Sequence, residues 1–153
     1  MTLSKKYAVS DAQIAAVAAT AKTMAIVTAT AAIRPAVYDY IVGASGTPAD
    51  NVMTYALQRF TVAGTTTAKT PNPMDSADAA AVAVCGVDAS IEPTKTAATT
   101  NVVIPANQRA SFRWVSAPDG EFRAPATAAN GIAATVLSAA YTGVAACTVH
   151  FME

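Results

Sequence analysis

The chain has few of the side chains that carry out active-site chemistry. Its 153 residues include one histidine, His150, and two cysteines, Cys85 and Cys147, which lie far apart. A zinc site normally has three or four protein ligands, so this set is too small for one. The sequence contains no Gly-x-Ser-x-Gly motif and no glycine-rich loop followed by lysine. It therefore predicts no enzyme activity, no cofactor and no metal site.

The remaining candidates for chemistry have simpler interpretations. Cys85 and Cys147 have no nearby basic residue that would lower a thiol pKa, so two buried free thiols are predicted, with a single disulfide as the alternative. His150 lies on the polar face of an alternating C-terminal segment and is predicted to be structural or at the surface. Asp75 and Asp78 are close in sequence, but a capping role explains both.

Charge is scarce and balanced. The 10 basic and 10 acidic residues give a net charge of zero, so nothing favours binding to nucleic acid or to an anionic membrane. Charged residues make up 13% of the chain, about half the usual share of roughly 25%. A domain with so few charges tends to associate, and we expect part of its surface to be covered by other molecules.

Long hydrophobic runs are also missing. No stretch of about 18 strongly apolar residues is present that could cross a bilayer. Lys5 and Lys6 precede an alanine-rich stretch over residues 12–32, but polar residues interrupt it and alanine contributes little hydrophobic drive. We therefore expect a protein made in the cytoplasm without a signal peptide.

Short segments with strand-like alternation fill most of the chain. They are separated by turns rich in glycine, proline and asparagine, and they include Ala36–Val42, Asn51–Val62, Arg109–Val115 and residues 147–152. Their close spacing predicts an all-β fold, an antiparallel β-sandwich or jelly roll, in one domain over residues 24–153. Because Asn51–Val62 is partly apolar on both faces, its second face is predicted to be covered.

Several local features are predicted with less support from periodicity. Residues 64–73 are predicted to form an extended loop, and Asn130-Gly131 a hairpin turn. Pro118-Asp119-Gly120 is predicted to form a turn, because proline presets one dihedral angle and glycine supplies another. Tyr38 and Tyr40 are predicted to share one face of a strand.

Residues 1–23 are predicted to form an N-terminal helix or arm. Ser10 or Asp11 can cap a short helix in which Ile14 and Val17 lie on one apolar face. This face consists mostly of alanine, so we expect it to pack against a neighbouring subunit or to flank the domain. A frayed terminus is the alternative. Ile14 and Val17 are therefore candidate interface residues.

Arginines provide the other interface candidates. Arg109 and Arg113 share one face of a predicted strand whose other face is apolar, and Arg123 extends the same basic stripe. Guanidinium groups pair well with carboxylates, so we expect such a stripe to bind a partner subunit. Arg59, between Leu57 and Thr61, is a further candidate. A solvated strand face is the alternative.

A resemblance is carried by five stretches between Ala25 and the C-terminus. These are residues 43–51 (GASGTPADN), 58–65 (QRFTVAGT), 73–75 (PMD), 107–109 (NQR) and 130–132 (NGI). Together they resemble a group of small virion proteins of tailed bacteriophages. The N-terminal predicted helix lies outside the similar region.

The resemblance implies a structural role in the virion. It implies a head decoration, or cement, protein that binds the outside of the assembled capsid and braces neighbouring capsomers. Such proteins are commonly β-rich and often trimeric, so the implied partners are the major capsid protein and other copies of the chain. A neck or tail structural protein is one alternative. A carbohydrate-binding module for host attachment is another, and exposed aromatics such as Tyr38 with Tyr40 would favour it.

Overall fold

Two antiparallel sheets packed face to face form the protein. The computed structural model describes residues 4–13, 22–137 and 144–153, and these contain twelve β-strands, numbered here in chain order. Each sheet has six strands, and every strand pair is antiparallel. The predicted antiparallel β-sandwich is confirmed.

The strands of each sheet follow a fixed spatial order. In sheet A this order is β10 (Phe122–Arg123), β3 (Ala36–Ser45), β12 (Val144–Met152), β1 (Lys6–Gln13) and β6 (Asn72–Pro73), and β9 (Phe112–Val115) also pairs with β3. In sheet B the order is β5 (Thr65–Lys69), β7 (Val84–Ile91), β2 (Lys22–Thr28), β11 (Gly131–Val136), β4 (Val52–Val62) and β8 (Thr94–Asn107).

The core lies between the sheets and follows from strand alternation. In β12 the side chains of Ala145, Cys147, Val149 and Phe151 are buried, while the residues between them are half-buried on the other face. The Phe151 ring stacks on Tyr7 of β1 with 5.5 Å between ring centroids. Both cysteines are free and buried, as predicted. Burial raises the pKa of the Cys85 thiol to about 12.

The second face of β4 is covered at two positions. Phe60 packs with Ile26 and Ala133 in a small cluster on the outer face of sheet B, and Ala56 is also buried. Gly131 lies directly beside Phe60 and begins β11. The predicted Asn130-Gly131 hairpin turn is therefore wrong, because the turn comes earlier and Asn130 N donates to Thr127 O.

The N-terminal helix predicted to start at Ser10 or Asp11 is wrong, because both residues lie in strand β1. Tyr7 and Val9 of this strand are buried in the core, and the whole strand pairs with β12. Alternation with a period of two residues therefore governs Lys6–Gln13. The three-to-four spacing of apolar residues in the sequence begins only after this strand. The candidate interface residues Ile14 and Val17 lie outside the described residues.

Two further predictions are corrected. Residues 64–73 are not one extended loop, because Thr65–Lys69 forms β5 and pairs with β7. Tyr38 and Tyr40 do not share a face, because a β-bulge opposite His150 and Phe151 makes Tyr38 an extra residue of β3. Tyr40 points into the core and Tyr38 stacks on His150 at the outer face. The predicted turn at Asp119-Gly120 is present, with Gly120 N donating to Ala117 O.

The open edges of the sheets are poorly suited to pairing with further strands. Thr54 of β4 accepts a backbone hydrogen bond from Leu137, on the β11 side, so its polar groups face away from β8. Pro105 of β8 is the partner of Thr54, and its backbone therefore faces the open edge, where proline offers no N–H. At the other edges, β5, β6 and β10 are short.

Candidate binding surface

A cluster of polar and charged side chains lies on the outer face of sheet A. We call Lys6, Tyr38, Asp39, Arg113 and His150 the His150 cluster. The strands that carry these residues, β1, β12, β3 and β9, are neighbours in sheet A, and the register places His150 opposite both Asp39 and Ala8. Because of the bulge, the side chains of two successive residues of β3, Tyr38 and Asp39, both lie on this face.

Asp39 is the central acceptor of the cluster. Its side chain is 2% exposed, and Arg113 binds it with two hydrogen bonds, Nε to Oδ1 at 2.9 Å and Nη2 to Oδ2 at 2.6 Å. His150 Nδ1 lies 2.9 Å from the same Oδ2. Burial alone raises the pKa of the Asp39 carboxyl, but the hydrogen bonds and charges of Arg113 and His150 outweigh burial and hold the pKa below its usual value.

Aromatic stacking fixes the position of the imidazole. The rings of Tyr38 and His150 stack with 6.0 Å between centroids, and Lys6 Nζ lies 5.3 Å from the centroid of the Tyr38 ring. Burial is the main cause of a raised pKa of Tyr38, and the negative charge of Asp39 adds to it. The imidazole of His150 is therefore held between a carboxylate at Nδ1 and an aromatic face.

A shallow hollow of about 470 Å³ adjoins the cluster on the same face. Its lining includes the short side chains of Ser10, Gly43 and Thr148 together with the charged residues Asp11 and Lys69. The hydroxyls of Ser10 and Thr148 are 3.0 Å apart and hydrogen-bonded to each other. This part of sheet A therefore offers a low surface that another chain can approach closely.

The predicted arginine stripe is not gathered in one place. Arg113 lies in the His150 cluster, whereas Arg109 precedes β9 and its Nε lies 3.4 Å from Pro48 O. Arg59 and Arg123 meet at a different end of the sandwich, where Arg59 Nε donates to Arg123 O at 2.9 Å. All four remain interface candidates, but at three separate places, because only Arg59 and Arg123 meet.

Arg59 and Arg123 also have contacts within their own chain. The Arg59 guanidinium lies 4.5 Å from the centroid of the Phe122 ring, and Arg123 pairs with Glu121 at 2.7 Å. Because Arg59 belongs to β4 and Phe122 to β10, this contact joins the two sheets. Structural roles for these side chains are therefore visible beside the predicted interface role.

Sequence reasoning missed Lys6 and Asp39 as members of a site. Asp39 stands between Tyr38 and Tyr40 in a strand that is otherwise apolar. A carboxylate buried in such a strand requires hydrogen-bonding partners, and this signal could have been used. The identity of those partners depends on the pairing of β3 with β9 and β12, which no local pattern contains.

Replacing Asp39 with asparagine is expected to lower the free energy of unfolding by about 2 kcal/mol at neutral pH, because charge-assisted hydrogen bonds are lost at a buried position. Since the folded-state pKa of Asp39 is depressed below 3.8, its contribution is present above that pH and is lost as pH falls through the folded pKa. Urea unfolding at neutral and at acid pH measures both effects.

The control for this prediction is Asp119→Asn in an exposed turn. This variant is expected to stay within about 0.5 kcal/mol of the parent protein. Equal effects of Asp39→Asn and Asp119→Asn at neutral pH would contradict the assigned role of Asp39.

Three further findings concern the chain as a whole. In the described ranges, no helix is long and apolar enough to cross a membrane. Within the same ranges, no group of three or more histidine, cysteine, aspartate or glutamate side chains is placed to hold a metal ion. Comparisons of the chain with protein-family models, curated proteins and solved structures found no match.

Proposed function

We propose that this protein is a structural component of the virion of a tailed bacteriophage. Its specific role is that of a decoration, or cement, protein that is made in the host cytoplasm, binds the outside of the capsid and braces neighbouring capsomers. The resemblance of residues 25–153 to small virion proteins supports this role. The partners are the major capsid protein and further copies of the chain, in a trimer.

The distribution of exposed apolar side chains is the observation that carries the proposal. Nine large apolar side chains of the described residues are 49–63% exposed, in a chain where charged residues make up only 13%. They are Val52, Val62, Met74, Val82, Val84, Ile91, Val103, Phe112 and Val115. Exposed apolar surface with so little charge around it is typical of a protein that functions in contact with others.

One part of this surface is a hollow of about 510 Å³ on the outer face of sheet B. It includes Val84, Ile26 and Ala68, and none of its lining residues is charged. Such a hollow can receive an apolar side chain of a neighbouring molecule, as the pockets at the centres of protein interfaces do.

The mechanism of bracing is mass action. Each copy that binds the assembled shell and not the free subunits adds its binding free energy to the stability of the shell. Specific interfaces usually bury about 1,200–2,000 Å² in total, and many copies act at once. Because the edges of the sandwich are blunted by Pro105 and by short strands, the faces and loops are the surfaces that make these contacts.

The carbohydrate-binding alternative has lost the observation that favoured it. Tyr40 is buried in the core, and Tyr38 packs between Lys6 and His150, so the two rings do not form an exposed platform. A neck or tail role requires the same type of surface, and the location of the protein in the particle distinguishes it from a cement role.

Binding to phage heads tests the proposal. The mass of the purified protein is measured by light scattering, and the protein is then co-sedimented with empty heads that lack it. We expect a defined oligomer that saturates the heads at a fixed ratio. Binding to tails or necks and not to heads would overturn the cement role in favour of the alternative.

Substitution at Val84 sharpens this experiment. Val84→Lys places a charge in the apolar hollow and is expected to weaken head binding about tenfold or more, with unchanged circular dichroism. The control is Ala117→Lys in the exposed turn at residues 117–120, outside the hollow, which is expected to bind like the parent protein. Equal binding of both variants would show that the hollow does not face the partner.

A further inference from the structure

We propose that a cleft between the edges of the two sheets binds a neutral carbohydrate, whose sugar rings pack against Phe112 and Trp114. We call it the β8–β9 cleft, and it is lined by residues 101–105 of β8 and by Phe112 and Trp114 of β9. The inference goes beyond the proposed function and does not rest on it, because it adds a ligand that a bracing role does not require. Three observations on the described residues carry it.

The first observation is a pair of accessible aromatic side chains. Phe112 and Trp114 lie opposite Val42 and Tyr40, which are buried in the core, so both aromatic rings are on the inner face of β9. β9 lies at the margin of sheet A and β8 at the margin of sheet B, and the cleft opens between them. Phe112 is therefore 49% exposed although it is on the inner face.

The two rings are suited to contact with sugars. Side chains two residues apart on a strand lie about 7 Å apart on the same face, so Phe112 and Trp114 form one apolar wall. The C–H groups on one face of a pyranose ring pack against the electron-rich faces of aromatic rings. Trp114 also packs against the core, so little side-chain entropy is lost on binding. This pair therefore supplies the accessible aromatic surface that Tyr38 and Tyr40 do not.

The second observation is the set of polar groups beside the rings. In β8 alternate residues bond to β4, so the backbone N–H and C=O of Val103 and the C=O of Pro105 face the open edge. The exposed side-chain amide of Asn101 adds an acceptor and an NH₂ donor group. None of the described residues that line the cleft is charged. The cleft therefore combines donors and acceptors without a net charge.

This combination selects among classes of ligand. A charged ligand finds no counter-charge in the cleft, and an added strand is disfavoured because Pro105 offers no N–H. A sugar hydroxyl both donates and accepts, so it can bind each of these groups in either role. The cleft volume of about 320 Å³ is at the lower end of the range of about 300–1,000 Å³ for ligand sites, and suits a short stretch of a sugar chain.

The third observation is the place of the cleft in the sandwich. The apolar hollow that includes Val84 lies mainly on β2, β5 and β7, towards one margin of sheet B, whereas β8 is the other margin. Strands β11 and β4 lie between the two sites. A copy that binds a partner through the hollow can therefore leave the cleft accessible to a carbohydrate.

The experiment uses the full chain and four neutral hexasaccharides, which consist of glucose, galactose, mannose or N-acetylglucosamine. Trp114 is the one tryptophan of the chain, so its fluorescence reports directly on the cleft. We expect a saturable change in fluorescence with at least one probe, and a dissociation constant of about 1 mM or lower by calorimetry. No saturable change with any of the four probes would overturn the inference.

Three variants locate the contact. Phe112→Ala and Asn101→Ala should each weaken binding about fivefold or more, through the loss of ring packing and of a hydrogen bond. Val115→Ala is the matched control, because it also shortens an exposed apolar side chain of β9, but on the opposite face, outside the cleft. We expect it to bind like the parent protein. Equal affinities of the Phe112 and Val115 variants would contradict the proposed site.

The outcomes distinguish the cleft from other binding sites and from the proposed function. A smaller oligomer of Phe112→Ala in light scattering would assign the cleft to a contact between copies, and tighter binding of acetylated hexaproline than of any sugar would assign it to a peptide. Either result would overturn the inference. Sugar binding in a protein that does not bind phage heads supports the cleft and overturns the cement role, whereas head binding without sugar binding does the reverse.

Discussion

Replacement of Gly131 by alanine is expected to lower the free energy of unfolding by about 3 kcal/mol. An added Cβ would lie 2.2 Å from Val27 O and 2.4 Å from Cζ of Phe60, much closer than atoms approach in proteins. Val27 belongs to the neighbouring strand β2, and the Phe60 ring is buried, so neither can move without disturbing sheet B. The expected loss of stability comes from the displacement of the neighbouring strands, because the added methyl group is itself small.

Denaturant unfolding followed by circular dichroism measures this loss. The matched control is Gly43→Ala in β3, where the added Cβ would lie 3.4 Å from the Cβ of Ser111, an ordinary contact. Since glycine within a strand costs about 0.5–1 kcal/mol relative to alanine, we expect this variant to be as stable as the parent protein or slightly more stable. Equal stabilities of the two variants would contradict the close packing of Phe60 on Gly131.

Truncation of Phe151 to alanine is expected to have the largest effect, about 4 kcal/mol of lost stability. Phe151 is fully buried between the sheets and stacks on Tyr7, so its removal leaves a cavity and ends the ring contact. The contact joins β12 to β1, and the loss should therefore also loosen the N-terminal strand.

Thermal and urea unfolding measure the effect of Phe151→Ala, and hydrogen exchange of the β1 amides reports the loosening. Phe112→Ala is the matched control, because the same side chain is removed at a position that is 49% exposed. We expect it to cost about 1 kcal/mol or less. A Phe151 variant no less stable than the Phe112 variant would contradict the assignment of Phe151 to the core.

The parts of the fold that could be predicted are those with clear local alternation. In the C-terminal segment the apolar residues of one face are Cys147, Val149 and Phe151, and all three are buried. Asn51–Val62 was predicted nearly to its ends, since β4 begins at Val52 and ends at Val62. The core face of the C-terminal strand is visible in its alternation, whereas for Asn51–Val62, which is partly apolar on both faces, the sequence indicates mainly the extent of the strand.

The parts that could not be predicted depend on distant partners. The bulge in β3 is created by the pairing of Asp39 with His150 and of Val37 with Phe151, so the face of Tyr38 is decided more than a hundred residues away. β5 consists mainly of threonine and has no apolar period, and it is a strand because β7 is beside it. Local propensity is overridden by pairing in both cases.

The candidate site likewise has a part that could be predicted from the sequence and a part that could not. Arg113 was identified as an interface candidate from its place opposite Phe112 and Trp114, and it does lie on the outer face of sheet A. Its bidentate bond to Asp39 was not predicted, because these two residues meet only when β9 pairs with β3. Single residues can thus be placed on a face from sequence, whereas a cluster requires the order of the strands.

Pro105 at the open edge of β8 bears on how copies of this protein can associate. When both edges of a sheet are bare, one edge of a molecule can pair with the other edge of the next molecule, and repetition of this contact produces a fibre of uncontrolled length. Because Pro105 has no amide N–H, this edge has one hydrogen-bond donor fewer, and the addition of further strands beyond β8 is disfavoured. In the proposed oligomer, contacts between copies therefore involve the faces of the sandwich, which can close into rings with a fixed number of members.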